Sequence, residues 1–175
     1  MPKPTRRLFF ALWPDDEIRE EIATRRERLG RVSRQQVPDH NLHLTLVFIG
    51  DRPDAELVAI ERAADGLKAE AFDLVLDRFG WFARAGVVWL GGEAPDPMLA
   101  LAGELGAAMA ALGIELDPRP FRPHVTLFRK VRRRPELPEP RPLHWPVREF
   151  ALVESISGRP YQVLRTWPLE SSART

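Results

Sequence analysis

Two short stretches constrain this chain more than anything else in it. Residues 41–50 read NLHLTLVFIG and residues 122–130 read RPHVTLFRK, and His124 follows His43 by 81 positions. Inside each stretch an apolar ladder carries one His and, two residues later, one Thr. Side chains alternate across a strand, so residues i and i+2 share a face. His43 and Thr45 therefore point one way, while Leu42, Leu44, Leu46 and Phe48 point into the core. In the second strand His124 and Thr126 share a face opposite Val125 and Leu127. A fold that sets the two strands across a cleft from each other gathers two imidazoles and two hydroxyls in one place.

The rest of the chain mixes the two periodicities. Arg7 to Trp13 reads as a short buried strand. Pro14 and Asp15-Asp16 start a helix with Ile18, Ile22 and Leu29 on one face and Gly30 as its stop. Gln35 to Asn41 reads as a loop, His43 to Ile49 as a strand and Gly50-Asp51 as a turn. Asp54 to Leu67 has helical spacing, with Leu57, Ile60, Ala64 and Leu67 aligned. Phe72 to Phe82 and Val87 to Leu90 read as a hairpin about Arg84-Ala85-Gly86. Asp96-Pro97 opens a helix with Asp96 as its cap; Met98, Leu101, Leu105, Ala108 and Leu112 form its stripe, and Gly113 ends it. The second His-x-Thr strand spans Pro123 to Phe128. Lys130 to Pro146 reads as an irregular loop, and strands over Phe150 to Ser157 and Tyr161 to Pro168 close the chain. This order predicts an α+β fold of mostly antiparallel sheet with flanking helices. The weak internal repeat predicts one domain over residues 1–175, made of two similar interleaved lobes about a central cleft.

Composition narrows the function. The chain has 175 residues, 44% hydrophobic and 29% charged, the balance of a globular protein. Its net charge of +1 gives no global attraction to polyanions, so any such affinity must be local. With no Cys, disulfides, thiolate catalysis and Cys-based zinc sites are excluded. The apolar run Leu8 to Trp13 is too short for a signal peptide and no stretch reaches a membrane span, so a cytoplasmic protein is expected. No exposed heptad or long apolar edge is evident, and a monomer is expected.

Two imidazoles and two hydroxyls suit phosphoryl chemistry. A neutral His takes a proton from an attacking water and a protonated His gives one to the leaving oxygen, near the pH where imidazole titrates. Each Thr hydroxyl donates to a non-bridging oxygen. A cyclic phosphodiester needs in-line attack on one side and protonation on the other, without a metal. One His-x-Thr in a strand would read as structural, since Thr favours strands. Two copies in matching apolar frames, in a chain with four His, point to a shared site.

Other residues weigh less. Arg129 follows the second motif, but strict alternation puts it opposite His124 unless the strand ends or bulges at Phe128. With Lys130, Arg132, Arg133 and Arg134 it makes the one dense basic cluster, a solvated loop or a guide for an RNA backbone. His40 precedes His43 by three residues, a helical spacing for metal ligands placed here at a loop–strand junction with no acid nearby, so no metal site is expected. His144 reads as structural or exposed. Phe9, Phe48, Trp81, Trp89, Trp145 and Trp167 read mostly as core; one aromatic left exposed at the cleft would stack a base.

With these residues in view, the chain resembles the 2H phosphoesterase superfamily, whose two HxTx signatures match NLHLTLVFIG and RPHVTLFRK. RLFFAL with the acidic helix after it, and the strand Val87-Val88-Trp89-Leu90-Gly91, resemble the branch of RNA 2′,3′-cyclic phosphodiesterases, also called 2′-5′ RNA ligases. The likeness runs from about Arg7 to Pro168. It implies a bilobal α+β fold and hydrolysis of an RNA-terminal 2′,3′-cyclic phosphate to a 2′-phosphate. It implies His43 as proton donor to the 3′ oxygen, His124 as the base that activates water, Thr45 and Thr126 as phosphate ligands, and Arg129 near the phosphate. It also implies reversible 2′-5′ joining of tRNA fragments and no metal or nucleotide cofactor. Two alternatives stay open: a hydrolase of small cyclic nucleotides or 2′-5′ oligonucleotides, and an RNA end-binding module without turnover.

Overall fold

The computed structural model describes residues 3–171, so residues 1–2 and 172–175 of the expected domain lie outside the described part. The first half of the chain builds β1 (Thr5–Leu12), α1 (Asp16–Glu27), a two-residue strand β2 (Gln35–Gln36), β3 (Leu44–Pro53) and α2 (Leu57–Asp65). The second builds β4 (Phe72–Leu76), β5 (Arg78–Phe82), β6 (Val87–Gly91), α3 (Asp96–Ala111), β7 (His124–Arg129), β8 (Leu143–Val147), β9 (Glu149–Ser155) and β10 (Gln162–Pro168). The named strands pair antiparallel, in the order β10-β9-β1-β3-β7-β6-β5, with β2 on β7 and β4-β8 as a separate ribbon. The fold is α+β, as the sequence pattern predicts.

Alternation along the strands sorts the apolar residues into two clusters. Leu8, Phe10 and Leu12 of β1 join Leu44, Leu46, Val125 and Leu127 in the main core, with the apolar faces of all three helices. Phe9 and Ala11, on the other face of β1, pack with Ala151 and Val153 in a small second cluster edged by Trp13 and Tyr161. That second face carries the histidines, since the Phe9 ring lies 4.8 Å from the ring of His43.

The two motif strands do not oppose each other across a gap. They are neighbours in one sheet, joined through a single pair, Leu44 with Val125. These are the equivalent residues, each directly after its His. The antiparallel register about that pair sets His43 across from Thr126 and Thr45 across from His124, a local two-fold relation.

Both motif strands bulge after the motif. In β3 the pairing with β1 skips Leu46, between Ala11↔Thr45 and Phe10↔Val47. Leu46 and Val47 are both buried, and Phe48, expected in the core, is 48% exposed. In β7 the pairing with β6 skips Leu127, between Trp89↔Thr126 and Val88↔Phe128. Leu127 and Phe128 are both buried, and Arg129 emerges on the exposed side. A bulge adds one residue to one strand and so inverts the alternation beyond it.

Several boundaries differ from the sequence expectation. Gly50-Asp51 is not a turn: β3 continues to Pro53, with Gly50 at a φ of 90° beside a second register shift against β1. Gln35–Gln36, read as loop, adds to the edge of β7. Phe72 to Phe82 is two strands in two sheets, broken at Asp77. The segment 130–146 is not all loop, because Leu143–Val147 pairs with β4, its apolar residues buried in alternation while His144 is exposed. Pro95 rather than Asp96 caps α3, and Met109 rather than Leu112 completes its buried stripe, Leu112 being 41% exposed. Trp81 and Trp89 are half-buried rather than core.

Candidate active site

His43 is held by its Nδ1, which donates to the backbone carbonyl of Asn41 at 2.7 Å. A carbonyl only accepts, so the proton of the neutral ring sits on Nδ1 and Nε2 keeps its lone pair. Thr45 Oγ1 lies 3.0 Å from Nε2 and donates to it. His124 repeats the arrangement: its Nδ1 donates to the carbonyl of Arg122 at 2.6 Å. In both motifs the orienting carbonyl belongs to the residue two before the His. No residue type announces a backbone carbonyl, so the sequence carried no signal for it.

The turn that presents Asn41 is locked by Arg19. Its guanidinium donates to the carbonyls of Asp39 at 2.6 Å and Leu42 at 3.1 Å. Buried Arg26 holds the same segment from α1, donating to the carbonyl of Val37 at 2.7 Å and to the Asp39 carboxylate. The Asn41 side chain in turn accepts from the amide of Tyr161 at 3.0 Å, which ties the start of β3 to the loop before β10.

Aromatic rings surround both imidazoles. Phe9 and Tyr161 stand 4.8 and 5.4 Å from His43, and Trp13 stacks on it at 5.9 Å with Arg19 over its indole. Phe82 and Trp89 stand 5.1 and 6.3 Å from His124. Desolvation disfavours the imidazolium. It pushes the His43 pKa down to about 4, helped by the positive fields of Arg129, His124 and Arg19 and opposed by the Asn41 carbonyl. The His124 pKa is lowered by the same desolvation and by Arg129, against the Arg122 carbonyl. Both rings are therefore neutral at neutral pH.

His43 and Thr45 line a cavity of about 360 Å³ with Arg7, Phe9, Phe48, Arg129, Ser155 and Tyr161. Arg129, left ambiguous by strict alternation, thus reaches the side of the histidines through its bulge. Thr126 lies on the His124 face of β7 and is half-buried. A wider cavity of about 780 Å³ is lined by Trp13, Asp15, Arg19, Asp39, His40, Trp145 and Arg148 among others, and shares no residue with the first. Several of its charged groups are engaged in structure: Asp15 caps α1, Asp39 pairs with Arg26 and Arg148 pairs with Asp73. The smaller cavity holds His43 and, in Arg129, a guanidinium with no ion-pair partner among the described residues. Among the described residues no group of three or more His, Asp or Glu gathers as a metal site, and His40 stays exposed in its turn.

Fold and site together define an α+β protein with two oriented imidazoles and one arginine at the join of two half-sheets. The sequence model of the 2′-5′ RNA ligase superfamily matches residues 14–159. The RNA 2′,3′-cyclic phosphodiesterase of Escherichia coli is 35% identical over 170 residues, covering 93% of this chain and 96% of its own. The protein of the same name from Thermus thermophilus is 34% identical, covering 93% and 90%. The crystal structure of E. coli LigT complexed with 3′-AMP superposes with a TM-score of 0.87 at 34% identity, over 95% of this chain and 99% of that one. The chain belongs to the 2′-5′ RNA ligase superfamily.

Proposed function

We propose that the protein is an RNA 2′,3′-cyclic phosphodiesterase, a hydrolase that opens the terminal cyclic phosphate to a 2′-phosphate by acid–base catalysis between His43 and His124. The observation that carries this reading is the pair of imidazoles, each pinned at Nδ1 by a carbonyl, with Nε2 met only by the Thr45 hydroxyl in His43 and by no side chain in His124, and Arg129 beside them. Arg129 and the hydroxyls of Thr45 and Thr126 hold the phosphate oxygens and stabilise the charge that grows on them in the transition state. The bound anion raises both imidazole pKa values and lets one ring hold a proton. His124, with no side-chain partner on Nε2, takes the proton of the attacking water. His43 gives its Nε2 proton to the departing 3′ oxygen, and the ring's depressed pKa makes that transfer favourable. The P–O3′ bond breaks as the water oxygen bonds to phosphorus; the 2′ ester remains. With an RNA 5′-hydroxyl in place of water, the same steps join a 2′-5′ linkage, and their reverse, attack by the 3′-hydroxyl with loss of the 5′ oxygen, cleaves it back to the cyclic phosphate.

The substrates fitting this site are RNA ends, tRNA fragments among them. Three segments put basic residues at the far end of β7. Ser33 Oγ donates to the Arg129 carbonyl at 2.6 Å, bringing in Arg31 and Arg34, and the Val131 amide donates to the Gly86 carbonyl at 2.8 Å, bringing in the turn with Arg84. With Lys130, Arg132, Arg133 and Arg134 these are exposed, and none forms an ion pair among the described residues. An RNA backbone leading to the cavity neutralises them. We read the protein as one domain of two lobes meeting at Leu44–Val125, acting as a cytoplasmic monomer; no described helix is long and apolar enough to cross a membrane.

The test is turnover of RNA ending in a 2′,3′-cyclic phosphate by the native protein and by His43→Ala and His124→Ala. Each variant should lose at least about 100-fold, the scale of one general acid or base. Near-native turnover by either sinks the two-histidine scheme. Nucleoside 2′,3′-cyclic phosphates and 2′-5′ oligonucleotides run alongside decide whether the RNA body matters, and tight binding without turnover would mark an end-binding module.

A further inference from the structure

One wall of the His43 cavity takes no part in proton transfer. Phe48 is the only aromatic among the exposed large hydrophobic side chains of the described residues. Its neighbours Val47 and Ile49 are buried, and without the bulge at Leu46–Val47 its ring would lie in the core beside Leu44 and Leu46. The extra residue turns the ring out into the cavity that holds His43, Thr45 and Arg129. Arg7 lines the same cavity, its guanidinium 5.0 Å from the Phe48 ring centroid and 3.6 Å from Asp51.

The local two-fold relation sharpens the point. Phe48 and Arg129 each stand five residues after their His, each beyond a bulge, and each faces the same cavity. At equivalent positions the site thus carries a planar cation for an anion and a flat apolar ring. A nucleotide presents the complements of both, a phosphate and a base.

We propose that Phe48, with the Arg7 guanidinium beside it, is the stacking platform for the nucleobase of the nucleotide whose phosphate Arg129 holds. The inference rests on the cyclic-phosphate reading for the class of ligand and adds where its base goes. Every base has a π-face, and stacking on an aromatic ring or a guanidinium plane tolerates any of them. The platform therefore selects nucleotides over bare sugar phosphates without reading base identity.

The experiment is equilibrium binding by titration calorimetry, with adenosine 2′-monophosphate and ribose 2-phosphate as probes. The readout is the dissociation constant of ribose 2-phosphate divided by that of adenosine 2′-monophosphate, in the native protein, in Phe48→Ala and in Phe48→Trp. The ratio should fall roughly 5- to 150-fold in Phe48→Ala, the span of one base–aromatic stack, and be retained in Phe48→Trp. A ratio unchanged in Phe48→Ala, or reduced equally by Phe48→Trp, overturns the platform. Binding needs no turnover, so a protein that failed to hydrolyse RNA ends would still give the answer, and the two readings fail separately.

Discussion

His43 is a base built into an apolar cage, and that has consequences for both stability and rate. Its folded pKa of about 4 lies below the ordinary 6.5, so between those values the unfolded chain binds a proton that the folded chain refuses. Stability therefore rises with pH through that window and is lost as pH falls from about 6.5 towards 4, by an upper bound of about 3 kcal/mol. The melting temperature should drop over that range, and the drop should be smaller in a His43→Asn variant; an equal drop would place the acid sensitivity elsewhere. For catalysis, both limbs of the kcat/KM profile report the free protein, where His124 is lowered too. That bell should centre below pH 6.5. The kcat profile should lie at higher pH, because the bound phosphate raises both pKa values. Coincident profiles would show that the anion does not act on these rings. The residue types His43, Thr45, His124 and Thr126 were legible in the sequence because period-two alternation marks them. Their tautomers were not, since backbone carbonyls at Asn41 and Arg122 set them.

The elements show where alternation stops being a guide. A bulge leaves no mark in a run of apolar residues, and so Phe48 read as core and Arg129 read as ambiguous. The same limit hid β8, whose alternating Leu143, Trp145 and Val147 sit in a Pro- and Arg-rich stretch that looks like loop. Helix α1 was legible from its cap and α3 from its apolar stripe, but Pro95 rather than Asp96 caps α3, and α1 also buries Arg25 and Arg26, which no periodicity argument expects. At Gly80 in β5 the reason is close approach: a Cβ there would lie 2.0 Å from the Trp89 ring, which packs across the strand beside His124. Gly80→Ala should destabilise by about 1–3 kcal/mol through overpacking, shift the tryptophan fluorescence and lower kcat. Native stability would mean that Trp89 moves freely. Arg26→Met leaves the Val37 carbonyl without its donor and should cost about 1–3 kcal/mol in denaturant unfolding. An unchanged midpoint would show that the turn before β3 does not depend on Arg26.

Across the whole molecule the join between β3 and β7 narrows to one pair, Leu44–Val125, and His43, Thr45, His124 and Thr126 gather about it. The repeat that suggested two lobes was visible in sequence; that the motif strands lie side by side was not, because sequence gives alternation but not strand order. Net charge near zero hides a basic edge assembled from residues 31–34, 84 and 129–134. If an RNA body lies there, log KM for a long RNA end should rise with log salt more steeply than for a nucleoside 2′,3′-cyclic phosphate, by about 0.7 in slope for each phosphate neutralised on a single strand. Equal slopes would remove the edge from substrate binding. The account stands most directly on which bond breaks. An RNA ending in a 2′,3′-cyclic phosphate, incubated with the protein and analysed for its product by ³¹P NMR, should carry a 2′-phosphate with a free 3′-hydroxyl. A 3′-phosphate, or an intact cyclic end, would contradict it.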